Sequence, residues 1–171
     1  SEILLGQLRR AGYEQVPVAE QADVILVNTC AIREHAEQRV YGRLGELSRH
    51  KLRRPGVVLG VAGCMAQHLR GKLLEKAPLV DLVVGPDAYR RLPELIDDAR
   101  EEPTLAVRLS RDETYGDLAP ARADGVRAWL SIMRGCDKFC AFCIVPYVRG
   151  RERSLPADEV IRQVEQAAAE G

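Results

Sequence analysis

The sequence lacks three features that would assign it to a common class. No apolar run approaches the ~20 residues that a membrane-spanning helix needs, although 46% of the residues are hydrophobic. Acidic and basic residues number 25 each, so the net charge is zero and gives no support for nucleic-acid binding. Ser1 and Glu2 lead directly into an amphipathic segment instead of a signal peptide. We therefore expect a cytoplasmic protein with no membrane association.

Histidine is also scarce. His35, His50 and His68 do not have the spacing of metal ligands relative to each other, which favours surface positions on helices. The number of cysteines, five, is odd, and three of them fall within one short segment. This distribution fits reduced, metal-bound thiolates in a cytoplasm better than it fits a disulfide framework.

The segment around Cys136, Cys140 and Cys143 has the spacing C-x3-C-x2-C, and residues 136–143 are called the cysteine loop below. Three soft ligands at short spacing suit a metal or an iron–sulfur cluster, and three cysteines would leave one iron of a 4Fe–4S cluster open to a cofactor or substrate. The alternatives are a structural zinc site or three unrelated thiols, but no histidine beyond His68 supplies a local fourth ligand. Phe142, inside the loop, either serves only as packing or covers the cluster and contacts a bound cofactor.

The N-terminal part alternates apolar runs with amphipathic segments. The continuous runs at 23–27, 57–61 and 81–84 predict buried parallel strands. Amphipathic patterns predict four helices: one capped by Ser1 and ended by Gly12, one with Ile32, Ala36, Val40, Leu44 and Leu47 on its apolar face and ended by Pro55, one over 67–76, and one capped by Asp87 that carries Tyr89, Leu92, Leu95 and Ile96. Pro93 lies inside this last helix and favours a new first turn there, at which the helix proper starts. We therefore predict an α/β fold whose N-terminal open parallel sheet is flanked by helices.

Cys30 and Cys64 each follow the end of a predicted strand. Ligands bind at this edge of open α/β sheets, so the two cysteines are predicted to meet at one site. The alternative is that both are buried cysteines that act as small hydrophobic side chains.

The C-terminal part has a different character. Residues 101–124 are rich in charge and contain Pro103, Gly116 and Pro120, which favours a linker with one strand around Leu105. Residues 126–133 predict a strand that leads into the cysteine loop, and Ser154 is predicted to cap the helix after it. We predict an N-terminal domain at 1–102, a linker at 103–125 and the start of a second, truncated domain at 126–171.

Basic residues gather around the cysteine loop, namely Arg134, Lys138, Arg149, Arg151 and Arg153. A cluster of this kind is either a solvated surface or a site for a carboxylate or phosphate. The sequence leaves both interpretations open.

Three stretches together resemble one family. Residues 133–154, with the cysteine loop, resemble the radical S-adenosylmethionine (SAM) superfamily and, more narrowly, its methylthiotransferases. Residues 27–34 and 60–67 resemble the N-terminal domain of the same family. The order Asn-Thr-Cys-Ala-Ile-Arg-Glu is more similar to the tRNA-modifying branch than to the branch that modifies a ribosomal protein.

The resemblance implies two 4Fe–4S clusters. Cys136, Cys140 and Cys143 would hold one, whose open iron binds S-adenosylmethionine. Cys30 and Cys64 would be two of three ligands of an auxiliary cluster; the family's third cysteine lies just upstream of an Asp-Ser-Glu sequence, of which only Ser-Glu stands here. The resemblance further implies that residues 126–171 form the first β/α unit of a truncated, partial TIM barrel.

The implied activity is radical-based methylthiolation of C2 of N6-isopentenyladenosine, adjacent to the anticodon of tRNA. S-adenosylmethionine would serve as radical source and methyl donor, and Phe142, Arg149 and Arg151 are the candidates for contacting cofactor or anionic groups. We expect tRNA as partner and a monomeric enzyme, with the donors of electrons and sulfur undetermined. The alternatives are a methylthiotransferase acting on threonylcarbamoyladenosine in tRNA or on a ribosomal-protein aspartate, and a non-catalytic metal-binding module with structural zinc.

Overall fold

A computed structural model describes residues 1–30, 34–122 and 127–170. Its main element is a four-stranded parallel sheet in the order β1-β2-β3-β4, which confirms the predicted α/β fold with a parallel sheet. The strands are β1 (Val24–Thr29), β2 (Val58–Gly63), β3 (Leu82–Val84) and β4 (Thr104–Ala106).

Helices cover both faces of this sheet. They are α1 (Glu2–Arg10), α2 (Glu34–Arg53), α3 (Cys64–Leu69), α4 (Gly71–Lys76) and α5 (Leu92–Glu101), with 3₁₀ turns at Ala19–Gln21 and Pro86–Arg91. On one face Leu4 of α1 and Leu92 of α5 pack against Leu82, while on the other Leu44 of α2 packs with Leu59. The central strands are buried on both sides, which explains their continuous apolar sequence.

Two helical predictions need correction. The helix predicted over 67–76 begins earlier, at Cys64, and is divided into α3 and α4 at Arg70, whose φ is 52°. Ser1 stands before α1 without a capping hydrogen bond from its side chain; its hydroxyl instead accepts a hydrogen bond from Asn28 Nδ2 at 3.2 Å. The position Ile32, predicted on the apolar face of α2, lies outside the described residues.

Asp87 is the third correction. It lies in a 3₁₀ turn, and α5 begins at Leu92 with Pro93 in its first turn, so the proline prediction is confirmed and the cap prediction is wrong. The carboxylate accepts hydrogen bonds from Arg134 and Arg153, which come from the C-terminal part of the chain.

The strand predicted near Leu105 is present and joins the sheet. It is β4, which pairs with β3 in parallel, Val83 opposite Leu105. The segment predicted as a linker therefore contributes an edge strand to the N-terminal sheet. The division into domains stays a prediction.

The C-terminal region is organised differently. The strand predicted over 126–133 is reduced, within the described residues, to β5 (Met133–Arg134), which pairs antiparallel with β6 (Arg153–Ser154). Ser154 thus lies in a strand, and α7 (Ala157–Glu170) begins after it. Between the two strands lie the cysteine loop and the short helix α6 (Val145–Arg149). Across the described ranges, every helix is too short or too polar to cross a membrane.

Candidate metal centres

Cys30 and Cys64, the strand-end cysteines, lie at the carboxyl edge of the sheet. Thr29 and Gly63 are paired in the register of β1 and β2, and each cysteine directly follows one of them. Both cysteines line one cavity of about 860 Å³. Cys64 is buried and Cys30 is exposed, and both are free thiols. The structure thus brings the pair to a single site, while metal ligation by these residues stays a prediction.

Gly63 makes this placement of Cys64 possible. Its φ is 103°, and a Cβ at this position would lie 2.2 Å from the carbonyl oxygen of Thr29. Only glycine adopts such a conformation at low cost. The chain can therefore turn directly from β2 into α3 and present Cys64 as the first residue of the helix. The sequence reasoning missed Gly63, although a glycine between a strand and a cysteine is a detectable signal.

Arg149 connects this site to the C-terminal region. Its Nε donates a hydrogen bond to Cys64 Sγ at 3.2 Å. That hydrogen bond raises the pKa of the Arg149 guanidinium, and desolvation by burial opposes the increase. Helix α6, which ends at Arg149, packs on α3 through Val148 and Met65. The sequence predicts that Arg149 holds an anionic group of substrate or cofactor. In the structure it contacts Cys64 Sγ, the sulfur of a predicted cluster ligand.

The cysteine loop is held at its base by backbone contacts. The N–H of Cys136 donates to the carbonyl of Gly150 at 3.2 Å, and the N–H of Cys143 donates to that of Cys140 at 2.9 Å. Gly135 has a φ of 75° and lies so close to Arg151 that a Cβ there would be 2.0 Å from the Arg151 carbonyl oxygen. A tight glycine turn therefore brings Cys136 next to the end of α6.

The thiols of the loop fit iron–sulfur ligation by their chemistry, because all three are free and Cys140 is exposed. Their side chains are not gathered: among the residues that the structure describes, no three His, Cys, Asp or Glu side chains are grouped as a metal site. The loop therefore supplies the right donors, and its arrangement as a ligand set stays a prediction.

The other predicted cofactor residues lie on the outside of the loop. Phe142 is 93% exposed, so it does not serve as core packing. Arg151 Nε lies 2.9 Å from a carboxylate oxygen of Asp137, and its guanidinium stands 5.2 Å from the centroid of the Phe139 ring. Contacts of Phe142 or Arg151 with a cofactor stay predictions.

Two stacked tyrosines, Tyr89 and Tyr115, line the cavity together with Arg134. The rings of Tyr89 and Tyr115 stack at 5.8 Å, and the Arg134 guanidinium lies 3.4 Å from the Tyr115 centroid. Burial raises the pKa of both phenols. Neither tyrosine was singled out from the sequence, because two tyrosines far apart in the chain carry no local signal of stacking.

Comparison with known proteins identifies the relatives of this chain. Residues 1–85 match the model of the family described as "Uncharacterized protein family UPF0004". The whole chain is 49% identical over 172 residues to the tRNA-2-methylthio-N(6)-dimethylallyladenosine synthase of Chloroherpeton thalassium, of which it covers 38%. It is also 48% identical to the synthase of Christiangramia forsetii and 44% identical to that of Bacillus pumilus, again over its whole length, and it covers 36% and 34% of those proteins.

The chain thus spans little more than a third of the length of the curated relatives that it matches. The aligned region includes the sheet, the cysteine loop and α7, because all of the chain is aligned in each case. Residues 1–85 carry the family match, and the chain is similar over its whole length to these synthases.

Proposed function

We propose that this chain is part of a tRNA methylthiotransferase that modifies C2 of N6-isopentenyladenosine adjacent to the anticodon, with S-adenosylmethionine as radical source and methyl donor. The observation that carries the proposal is the similarity of the entire chain, cysteine loop included, to synthases whose name describes a 2-methylthio-N6-dimethylallyladenosine product. The common cavity of Cys30 and Cys64 supports a second centre beside the loop.

Five cysteines would hold the two centres. Cys136, Cys140 and Cys143 would bind a 4Fe–4S cluster with one open iron, and Cys30 and Cys64, with a third cysteine outside this chain, would bind an auxiliary cluster. When bound, the first supplies the electron for cleavage of S-adenosylmethionine and the second is the point of sulfur attachment.

The chain's own residues would position and protect these groups. Gly63 fixes Cys64 at the start of α3, and Val148 of α6 packs in the same buried cluster as Cys64. Arg149 would stabilise negative charge on Cys64 Sγ by its N–H donor, since charge-assisted hydrogen bonds favour the ionised acceptor. Phe142 and Arg151, on the exposed side of the loop, are the candidates for contacting S-adenosylmethionine or the anionic substrate.

The remaining parts of the proposal concern organisation. Residues 1–102 would form the domain of the auxiliary cluster, 103–125 the linker, and 126–171 the beginning of the radical SAM domain. The enzyme would act on tRNA in the cytoplasm as a monomer.

Loss of the cysteine ligands tests the proposal. The full-length protein with Cys136, Cys140 and Cys143 changed to Ala should lose about half of its iron and sulfide after anaerobic reconstitution, because one of two clusters has lost all its protein ligands. The pair Cys30→Ala and Cys64→Ala should lose the other half. His68→Ala, at an exposed position of α3, is the matched control and should retain the full content.

Mass spectrometry of tRNA nucleosides gives the functional readout. A deletion strain should lack the 2-methylthio group on isopentenyladenosine; the wild-type gene should restore it, and neither cysteine variant should. Loss of the group from threonylcarbamoyladenosine, or from a ribosomal-protein aspartate, would assign the other methylthiotransferase activities instead. About one zinc and no sulfide in the purified protein would overturn the enzyme proposal in favour of a structural metal site.

A further inference from the structure

Asp87 carries a buried carboxylate that the proposed chemistry does not use. It lies in the 3₁₀ turn after β3, and its side chain has no exposed surface. It accepts hydrogen bonds from Arg134 Nη2 at 2.6 Å, from Arg153 Nη1 at 3.0 Å and from the backbone N–H of Ser110 at 2.9 Å. Asp87, Arg134 and Arg153 are called the Asp87 cluster below.

The two arginines come from the two strands that enclose the cysteine loop. Arg134 in β5 and Arg153 in β6 are directly paired, and Gly135 alone separates Arg134 from Cys136. Their side chains are 6% and 7% exposed. A single carboxylate, in the turn after β3, therefore binds both sides of the base of the cysteine loop.

A path of hydrogen bonds leads from the Asp87 cluster to Cys64, one of the strand-end cysteines. Arg153 donates through Nη2 to the carbonyl of Arg149 and through Nη1 to that of Ser110, the latter at 2.6 Å. Arg149 in turn donates from Nε to Cys64 Sγ. The base of the loop and Cys64 are thus joined by consecutive side-chain and backbone contacts.

The physical chemistry of this cluster favours a role in geometry. Buried ion pairs are often no more stabilising than apolar residues of the same size, but removal of one partner leaves an uncompensated buried charge. Charged hydrogen bonds between an arginine and a carboxylate fix distance and direction more strictly than apolar contacts do. Neutralising Asp87 would leave two buried guanidinium groups facing each other, and these groups would separate.

We propose that Asp87 is a positioning residue that holds the cysteine loop against the sheet at a fixed separation from Cys30 and Cys64. The inference rests on the proposed function, because the two cysteine sites must work on one substrate for their separation to matter. Asp87 touches neither the cysteines nor the cavity's open space, so it acts through Arg134 and Arg153.

Asp87→Asn in the full-length protein tests this role, with Asp81→Asn as the matched control. Asp81 is also a largely buried carboxylate; it binds Lys51 Nζ at 2.6 Å and the N–H of Leu59 at 2.9 Å, at the opposite end of the sheet. Asp87→Asn removes the negative charge from two buried ion pairs, and Asp81→Asn removes it from one largely buried pair, with Lys51. Only Asp87 contacts the strands around the loop.

Hydrogen exchange of the backbone amides is the first measurement. In Asp87→Asn the amides of 134–153, Cys136 included, should exchange ~10- to 100-fold faster, because loss of the charged hydrogen bonds lowers the free energy of local opening. In Asp81→Asn the increase should be confined to residues near Leu59 and Asp81. Equal effects of both variants on the loop, or no effect of Asp87→Asn, would overturn the inference.

A further variant and a further assay distinguish failure of this inference from failure of the proposed function. Asp87→Glu keeps the charge with a longer side chain, so it should fold like the wild type and still exchange faster in the loop; exchange at the wild-type rate would overturn the role in geometry. Cleavage of S-adenosylmethionine to 5′-deoxyadenosine should fall in both Asp87 variants and not in Asp81→Asn. If the wild type neither cleaves it nor modifies tRNA, the proposed function fails, while hydrogen exchange still decides the role of Asp87.

Discussion

The sheet unit at residues 1–106 and the loop region at residues 127–170 are held together by different forces. The sheet unit buries whole apolar side chains, such as Leu59, Leu82 and Ile96, which have no exposed surface. In the loop region the buried side chains within the described range are chiefly Arg134, Arg153, Pro146 and Val148, while large apolar residues such as Trp129, Phe142 and Ile161 are exposed.

This difference teaches how each cysteine site is placed. Cys30 and Cys64 are placed by the two neighbouring strands that precede them, and hydrophobic packing holds those strands in the sheet. This packing is non-directional, because the hydrophobic effect depends on the apolar area that is buried. The cysteine loop is placed by directional contacts of a few charged side chains with the sheet unit. Variants that weaken apolar packing should therefore destabilise both regions, and variants that remove these polar contacts should act chiefly on the cysteine loop.

The largest expected effect is a cavity in the sheet unit. Leu82→Ala should lower the free energy of unfolding by ~2–5 kcal/mol, because Leu82 is fully buried between α1, α5 and β2. The change in the free energy of unfolding is measured by urea denaturation with circular dichroism as the signal. Both regions should unfold together, because the loop region has little apolar core of its own.

The control for this prediction is Leu52→Ala in α2, where the side chain is 68% exposed and the expected change is within ~0.5 kcal/mol. Separate unfolding transitions for the two regions in Leu82→Ala would contradict the comparison, since the loop region would then be stable without the sheet unit.

The second effect is smaller and local to the turn before Cys64. Gly63→Ala should lower the free energy of unfolding by ~1–3 kcal/mol through backbone strain, because its φ is 103° and the added Cβ meets the Thr29 carbonyl. Gly42→Ala in α2 is the matched control; nothing lies within 4 Å of its added Cβ, and the variant should be more stable by ~0.5–1 kcal/mol. Equal stability of both variants in thermal denaturation would mean that Gly63 does not fix the turn.

The smallest effect concerns the contact between the regions. In the reconstituted full-length protein, Arg149→Gln should lower the midpoint potential of the auxiliary centre by tens of millivolts. For comparison, ~59 mV corresponds to a tenfold change in a one-electron equilibrium constant. The reason is that Arg149 donates to Cys64 Sγ, and donors to a ligand sulfur stabilise the reduced state. Arg151→Gln, whose guanidinium pairs with Asp137, should leave that potential unchanged. A shift of the same size in both variants would exclude a specific role of the Arg149 contact.

The sequence predicted the features that depend on local pattern. Continuous apolar runs identified β1, β2 and β3, and the rule that ligands bind at the carboxyl ends of parallel strands led to Cys30 and Cys64 at one edge. The features that it missed depend on contacts distant in sequence. Asp87 resembles a helix cap because an acidic residue stands before a helical pattern, while its actual partners are 47 and 66 positions away. The strand before the loop was predicted too long because its length is set by pairing with the two residues of β6, beyond the cysteine loop, which the local pattern does not reveal.

The contacts between the sheet unit and the loop region limit how relatives of this chain can be recombined. A chimera with its crossover point in 103–125 would take Cys64 and Asp87 from one parent and Arg149, Arg153 and Arg134 from the other. The predicted linker looks like the most suitable crossover segment, but a crossover there separates residues that contact each other. The two parents must therefore have compatible residues on both sides of it. Functional chimeras should come from parents that share these five side chains, whatever their overall identity.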